Sequence, residues 1–461
     1  MDDLACLFEQ GSTVSSGRWG LAAIEAFVPT ASIPWLNGLT SLFLISVAIS
    51  MILDMFHIRS DVLKVILSAV LVTFPTHTCT FGYMFTTVQY AAALLLAVIS
   101  ARKLSETETL SGHILPGILL IISLSIYQPY VSVTISLIIV YCFGMSFCPE
   151  DSGKRIVKKG ICSAVLIIAA MSVYYFLTAI IKRITGTAFN TYADSSLNGL
   201  SDVFWGIRVA YTSFLGYFYK GYYDLIPTTF SQICHVIAVA ASAFLFFAHF
   251  RKKSNRTNGR FAAALLCLLL LPLGVNCIRV ISSLFHNLML FSFTAVYLLM
   301  AVIVERTQTS IAWKKSFLCK DLICVGMSLI AVANIFFANR VYVKMYMQLE
   351  QAEHFYTSVL SKLMDEPDFS EESTVCFVGS NDILYDIPIV NTGNQAGIRE
   401  GIVGTYSQAE FIKCFTGVEL NVAGWDITDL LLESQQVKEM PSYPYYGSIQ
   451  KVDGMFVVKL G

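Results

Sequence analysis

Residues Ile114 to Phe147 read ILPGILLIISLSIYQPYVSVTISLIIVYCFGMSF, without a single charged side chain. A helix that crosses a bilayer needs ~20 apolar residues, so this stretch is too long for one crossing and suits two short ones joined by a break. Tyr127-Gln128-Pro129 supplies the break, because proline disfavours helix in the residue before it. Non-helical backbone at membrane depth is tolerated only where it is buried in protein or lines a cavity. The sequence therefore predicts an α-helical polytopic membrane protein in which Tyr127 and Gln128 either line an outward-facing donor or acceptor pocket or form a simple loop between two short spans.

The same test, carried outward, places spans at Trp35 to Phe56, Val62 to Thr78, Tyr83 to Ala101, Ile114 to Ile126, Pro129 to Phe147, Ile161 to Ile181, Phe230 to Phe250, Phe261 to Ile281, Leu284 to Val304 and Phe317 to Ala338, about ten in all. Composition agrees. Of 461 residues, 55% are hydrophobic and 14% charged, against roughly 25% charged in soluble domains. A net charge of −1 gives no footprint for nucleic acid. No basic stretch followed by an apolar core opens the chain, so no cleavable signal peptide is expected. The 12 cysteines include no C-x-x-C pair, and most lie in apolar runs where Cys acts as a small hydrophobe. Cys376 and Cys414 fall in the polar tail, where a disulfide is left open if that region meets an oxidising compartment.

Short loops rich in Lys and Arg face the cytoplasm. They hold Arg59, Lys64, Arg102, Lys103, Lys154, Arg155, Lys158, Lys159, Lys252, Lys253 and Arg306, and Asp54 beside them is expected to pair with Arg59 or Lys64. Three regions follow: an outer N-terminal loop 1–34, a transmembrane domain 35–338 with a long outer loop 182–229, and an extracytoplasmic tail 339–461. Both termini are then extracytoplasmic. The tail reads as a helix from Asn339 to Met364 and a small α/β domain with strands at Thr374 to Val378 and Met455 to Leu460. In the long loop, the aromatics from Phe204 to Tyr223 read either as an interfacial helix or as a platform for a sugar or prenyl chain.

Asp2-Asp3 stands on the outer side, followed by Ser16-Gly17-Arg18-Trp19, an amphipathic stretch from Leu21 to Val28, and Pro34-Trp35. A carboxylate pair at a terminus is either solvated and frayed or a general base. Outer cations that could meet a phosphate are Arg279, Arg18 and Arg208. Arg279 follows Asn276 and Cys277 near the end of an apolar span, where an unpaired guanidinium is costly; snorkelling or a structural ion pair is the alternative use. Tyr127 and Gln128 at the break, with Trp19 and Tyr83 in the same tier, are the candidate pocket residues.

The acidic pair, Ser-Gly-Arg-Trp and the membrane-edge Pro-Trp resemble the bacterial type II Gtr membrane glucosyltransferases, usually grouped with the GT-C glycosyltransferases. Phe74-Pro75 with Phe81-Gly82-Tyr83-Met84-Phe85, Ile126-Tyr127-Gln128-Pro129-Tyr130, and Met440-Pro441-Ser442-Tyr443-Pro444 with Gly447-Ser448-Ile449 are similar too. The resemblance implies a bacterial plasma-membrane enzyme that takes a hexose, glucose by the family's name, from a polyprenyl-phosphate donor. The implied acceptor is a cell-surface polysaccharide of the O-antigen kind on the extracytoplasmic face. It also implies Asp2 or Asp3 as general base; the lipid phosphate leaves as an anion and needs a cation rather than an acid. No cofactor is called for, and a divalent metal is left open. In the family a spanning helix precedes the acidic pair, whereas this chain starts at the pair, so either upstream residues are missing or this form lacks that helix. The runner-up reading is a transporter, flippase or polysaccharide polymerase; the sequence has no internal repeat and no midplane charges of the kind transporters carry.

Overall fold

The computed structural model describes residues 13–26, 34–109, 111–188, 200–219, 228–281, 286–307, 314–370, 372–379 and 407–460. The chain forms two compact units, one spanning Ser12–Ala338 and one containing Asn339–Gly461. The first unit is helical. Its helices are α1 (Trp19–Glu25), α2 (Pro34–Met55), α3 (Asp61–Val72), α4 (Pro75–Thr80), α5 (Met84–Glu106), α6 (Ile114–Ile126), α7 (Val131–Met145), α8 (Gly153–Thr185), α9 (Leu200–Tyr219), α10 (Thr229–Arg251), α11 (Arg260–Val275), α12 (Ile278–Ile281) and α13 (Ala295–Arg306). Helix α14 (Lys314–Met364) carries the chain on towards the tail.

Among the described residues, seven stretches are long and apolar enough to cross a membrane: Pro34–Met55, Asp61–Thr80, Met84–Glu106, Gln128–Met145, Gly153–Thr185, Thr229–Arg251 and Phe317–Met364. Ile114–Ile126 and Arg260–Val275 are apolar but shorter. The expected span from Leu284 to Val304 takes a different form. Short 3-10 turns at Asn287–Met289 and Phe291–Thr294 come first, and the α-helix begins only at Ala295. Hydroxyls explain part of this: Thr294 donates to the Phe291 carbonyl at 2.6 Å, a local bond that competes with an α-helical ladder, and Ser292 reaches across to the Val275 carbonyl of α11 at 2.6 Å.

Helix α8 positions the site. Ser152 caps its start through the Arg155 amide, and Gly186, left-handed at φ +66°, ends it. Its 33 residues run ~50 Å at 1.5 Å per residue, beyond the ~30 Å of a hydrocarbon core. Basic residues stand at both ends. At the basic end of α2, Asp54 pairs with Arg102 at 2.5 Å, while Lys64 takes Asp61; packing between α2 and α5 overrides nearness in sequence.

The aromatic helix α9 divides its rings between buried and exposed positions. Phe214, Tyr217 and Phe218 are buried against Phe293, with Phe74 and His235 beside them, while Phe204 and Trp205 are exposed. Tyr222 and Tyr223 lie outside the described residues.

Among its described residues, the second unit has a four-stranded sheet in the order β2-β1-β4-β3, built from β1 (Thr374–Val378), β2 (Asn421–Val422), β3 (Ile449–Val452) and β4 (Met455–Lys459). Strand β1 runs parallel to β2 and β4, and β3 and β4 form a hairpin turned at Asp453-Gly454, both at positive φ. Side chains alternate across β1. Val375 and Phe377 pack with Tyr356, Leu363 and Phe411; Cys376 and Val378 pack on the other face with Leu431, Val437 and Met440. The disulfide left open by the sequence does not form, since Cys376 is a buried thiol near the Thr428 hydroxyl and Cys414 is free and exposed. The Tyr443 hydroxyl meets Ser358 at 2.6 Å and its amide donates to Lys459, so the closing Pro-Ser-Tyr-Pro motif clamps a helix to the sheet. Phe377→Ala is expected to cost this unit ~3–5 kcal/mol. The check is limited proteolysis: cleavage within 374–460 under conditions the wild type survives, whereas equal resistance would show that the cavity collapses.

Candidate functional site

The site begins at the helix break. Helix α6 stops at Ile126, Tyr127 takes extended backbone (φ −150°, ψ 100°), and a 3-10 turn over Gln128–Tyr130 leads into α7. That single extended residue turns Tyr127 into the bundle. It is 1% exposed, stacks on Tyr90 with ring centroids 4.2 Å apart, and meets Tyr130 edge-on at 5.0 Å. Its hydroxyl has no hydrogen-bond partner among the described residues. A buried hydroxyl left this way costs ~1–3 kcal/mol, which polar substrate atoms or water would relieve.

The Ser16-Gly17-Arg18-Trp19-Gly20 motif lies over this break. Gln128 Nε2 donates to the Ser16 carbonyl and to the Tyr174 hydroxyl, both at 2.9 Å, and Tyr174 donates to the Gly17 carbonyl at 2.9 Å. Trp19 Nε1 donates to Thr178 at 3.1 Å and Lys182 Nζ to the Ser15 carbonyl at 2.6 Å. Both glycines are required by space. Gly17 sits at φ +80°, and a Cβ there would lie 2.8 Å from the Tyr174 hydroxyl; one on Gly20 would lie 2.9 Å from Ser125 Cβ.

Arg18 is the charge that this packing places. Its Nη1 donates to the Tyr90 hydroxyl at 2.9 Å, and its guanidinium lies 5.5 Å from the centre of the Tyr127 ring and 6.0 Å from that of Tyr90. Its Nε is buried and without a partner, and no carboxylate pairs with it among the described residues. A guanidinium so held offers a fixed cation to an incoming anion.

Other expected residues fall around this centre. Tyr83 precedes α5, two helical turns before Tyr90, with its ring edge-on to His286 at 6.2 Å. Arg279 is half-buried on α12 and Arg208 exposed on α9, and these two helices touch closely where Gly206 faces the Val280 backbone. Cys277, two residues before Arg279, lies 3.1 Å from Ser132 in the first turn of α7. The structure thus gathers Arg18, Trp19, Tyr127 and Gln128, with Arg208 and Arg279 on a second pair of helices. Asp2 and Asp3 lie outside the described residues.

One group escaped the sequence reading. Glu25 is half-buried at the end of α1, burial raises its carboxyl above the ordinary carboxylate value, and its charge is felt at Tyr90. A lone acid in an otherwise apolar Trp19–Glu25 helix was the available signal. Among the described residues no three His, Cys, Asp or Glu side chains gather as a metal site.

A family model described as "Glucosyl transferase GtrII" matches residues 1–305. No curated protein and no solved structure matches the chain.

Proposed function

The chain belongs to the GtrII glucosyl transferase family and is a glycosyltransferase; from that premise we propose that it moves glucose from a polyprenyl-phosphate donor to a hydroxyl of a cell-surface polysaccharide. We place this chemistry on the extracytoplasmic face of a bacterial plasma membrane crossed ten times, with α6, α11 and α13 added to the seven longer stretches. The acceptor O–H gives its proton to a carboxylate while its oxygen attacks the anomeric carbon. The bond from that carbon to the phosphate oxygen breaks, and the electron pair leaves with the lipid phosphate. Arg18 receives that anion, with Arg279 and Arg208 as further cations, and Trp19, Tyr83, Tyr127 and Gln128 border the sugar.

The observation that supports this reading best is Arg18, fixed on Tyr90 and Tyr127 without a carboxylate partner among the described residues. Preorganised charge aimed at a leaving phosphate is worth more than charge that must reorganise. The resemblance names Asp2 or Asp3 as the base, and Glu25, half-buried at the end of the helix that follows Arg18, is a third candidate carboxylate.

Transfer from synthetic polyprenyl-phosphate-glucose, measured at equal protein level for Asp2→Asn, Asp3→Asn and Glu25→Gln, separates the three. One variant is expected to lose ~10²–10⁴-fold, the usual contribution of a general base. Wild-type turnover in the triple variant would remove all three from that role.

A further inference from the structure

The first turns of α8 carry four basic residues arranged as two i,i+4 pairs. Arg155 binds Asp151 at 2.9 Å and Glu108 at 2.8 Å, and Lys159 donates to the Thr107 carbonyl at 2.5 Å. The protein satisfies this pair. Lys154 and Lys158, one residue earlier in each turn, are exposed and make no hydrogen bond or ion pair among the described residues. They line a groove of about 920 Å³ whose far wall is Asn258 and Gly259.

This groove continues into a cleft of about 430 Å³ between α7, α8 and α11, with Val157, Ile161, Ala263 and Leu266 common to both. No charged side chain lines the cleft, which follows α8 from Ile156 to Met171, ~22 Å at 1.5 Å per residue. Water gains nothing in such a space, since a buried water needs polar partners. A soluble anion would meet the lysines and leave the cleft empty; a neutral chain would do the reverse.

We propose that the groove and cleft bind one anionic phospholipid, its phosphate on Lys154 and Lys158 and an acyl chain between α7, α8 and α11. Basic pockets between membrane helices take anionic headgroups for this reason: the charges attract the phosphate while the apolar walls exclude water from the chain. The site rests on the membrane placement proposed above but not on the transfer chemistry. Lys154 and Thr178 stand ~36 Å apart along α8, so lipid binding and sugar transfer fail separately.

The test is native mass spectrometry of the full chain, purified in neutral detergent and titrated with phosphatidylglycerol, phosphatidylcholine or a short polyprenyl phosphate, with transferase activity assayed in parallel. The wild type is expected to retain one phosphatidylglycerol in preference to the others. Lys154→Gln with Lys158→Gln weakens that retention roughly 30-fold, the contribution of two basic residues against an anionic surface. Ala164→Trp, which fills the cleft and keeps both lysines, also removes the lipid. Lys64→Gln with Lys103→Gln, an equal loss of charge elsewhere, leaves retention as it was. Equal retention of phosphatidylcholine, preference for the polyprenyl phosphate, or an unchanged affinity in the Lys154/Lys158 variant would overturn the proposal.

Discussion

Replacing Gly20 with valine is expected to lower glucosyl transfer by about a hundredfold while leaving the amount of protein in the membrane fraction unchanged. A Cβ on Gly20 would stand 2.9 Å from Ser125 Cβ, closer than real side chains come, and 3.1 Å from the Ser125 carbonyl carbon, a tight contact. One partner must move. Ser125 lies in the last turn of α6, 1% exposed, with its hydroxyl bonded to the Ile122 carbonyl at 2.7 Å. The short α1 is the lighter element, so it lifts and takes Trp19 off Thr178 and Arg18 off the tyrosine pair. Misplacing a catalytic group by ~1 Å costs ~10²-fold, far more than the ~1 kcal/mol that Gly in a helix interior costs relative to alanine. Gly20→Ala combined with Ser125→Gly removes the Cβ-to-Cβ contact and is expected to recover most of the activity lost in Gly20→Ala alone. Full activity in Gly20→Val would show that docking of the N-terminal motif is not needed for transfer.

The break that positions this motif was readable from sequence because its causes are local. Pro129 disfavours helix in the residue before it, and Ile114–Ile126 stops just short of that position. Strand β1 was readable for a similar reason, as a short β-branched and aromatic run. The partners of Arg18 were not. Tyr90 is 72 residues away and sits in an apolar run, where a tyrosine looks like core. The Trp19 partner, Thr178, is 159 residues away. The 3-10 turns that open the Leu284 to Val304 segment were not readable either, since hydropathy records transfer into lipid and is silent on hydroxyls that bond backbone carbonyls. Asp54 found Arg102 because side chains on packed helices meet by depth, which a single sequence does not encode.

Arg18→Gln is expected to lower kcat/KM by ~10²–10³-fold, the range seen when one preorganised donor to a developing anion is lost. The physical case starts from what surrounds the guanidinium. Two tyrosine faces and one phenol oxygen hold it, and among the described residues none of its partners carries a negative charge. A structural arginine in a half-buried position is normally paired, because an uncompensated charge there costs several kcal/mol. Here the charge is retained, which is economical only if an anion arrives during turnover. Arg18→Lys separates charge from shape: lysine keeps the positive charge but loses the planar fork and the stacking on Tyr127, so a loss intermediate between wild type and Arg18→Gln is expected. Tyr90→Phe removes only the 2.9 Å hydrogen bond and should cost about tenfold, since it loosens the guanidinium without deleting it. Because both act through one group, the Arg18→Gln, Tyr90→Phe double variant should be little worse than Arg18→Gln alone. Additive losses would mean that Tyr90 acts on the substrate independently. Wild-type kcat/KM in Arg18→Gln, with the folded protein merely less stable, would reduce Arg18 to a packing residue and move the phosphate site to Arg279 on α12.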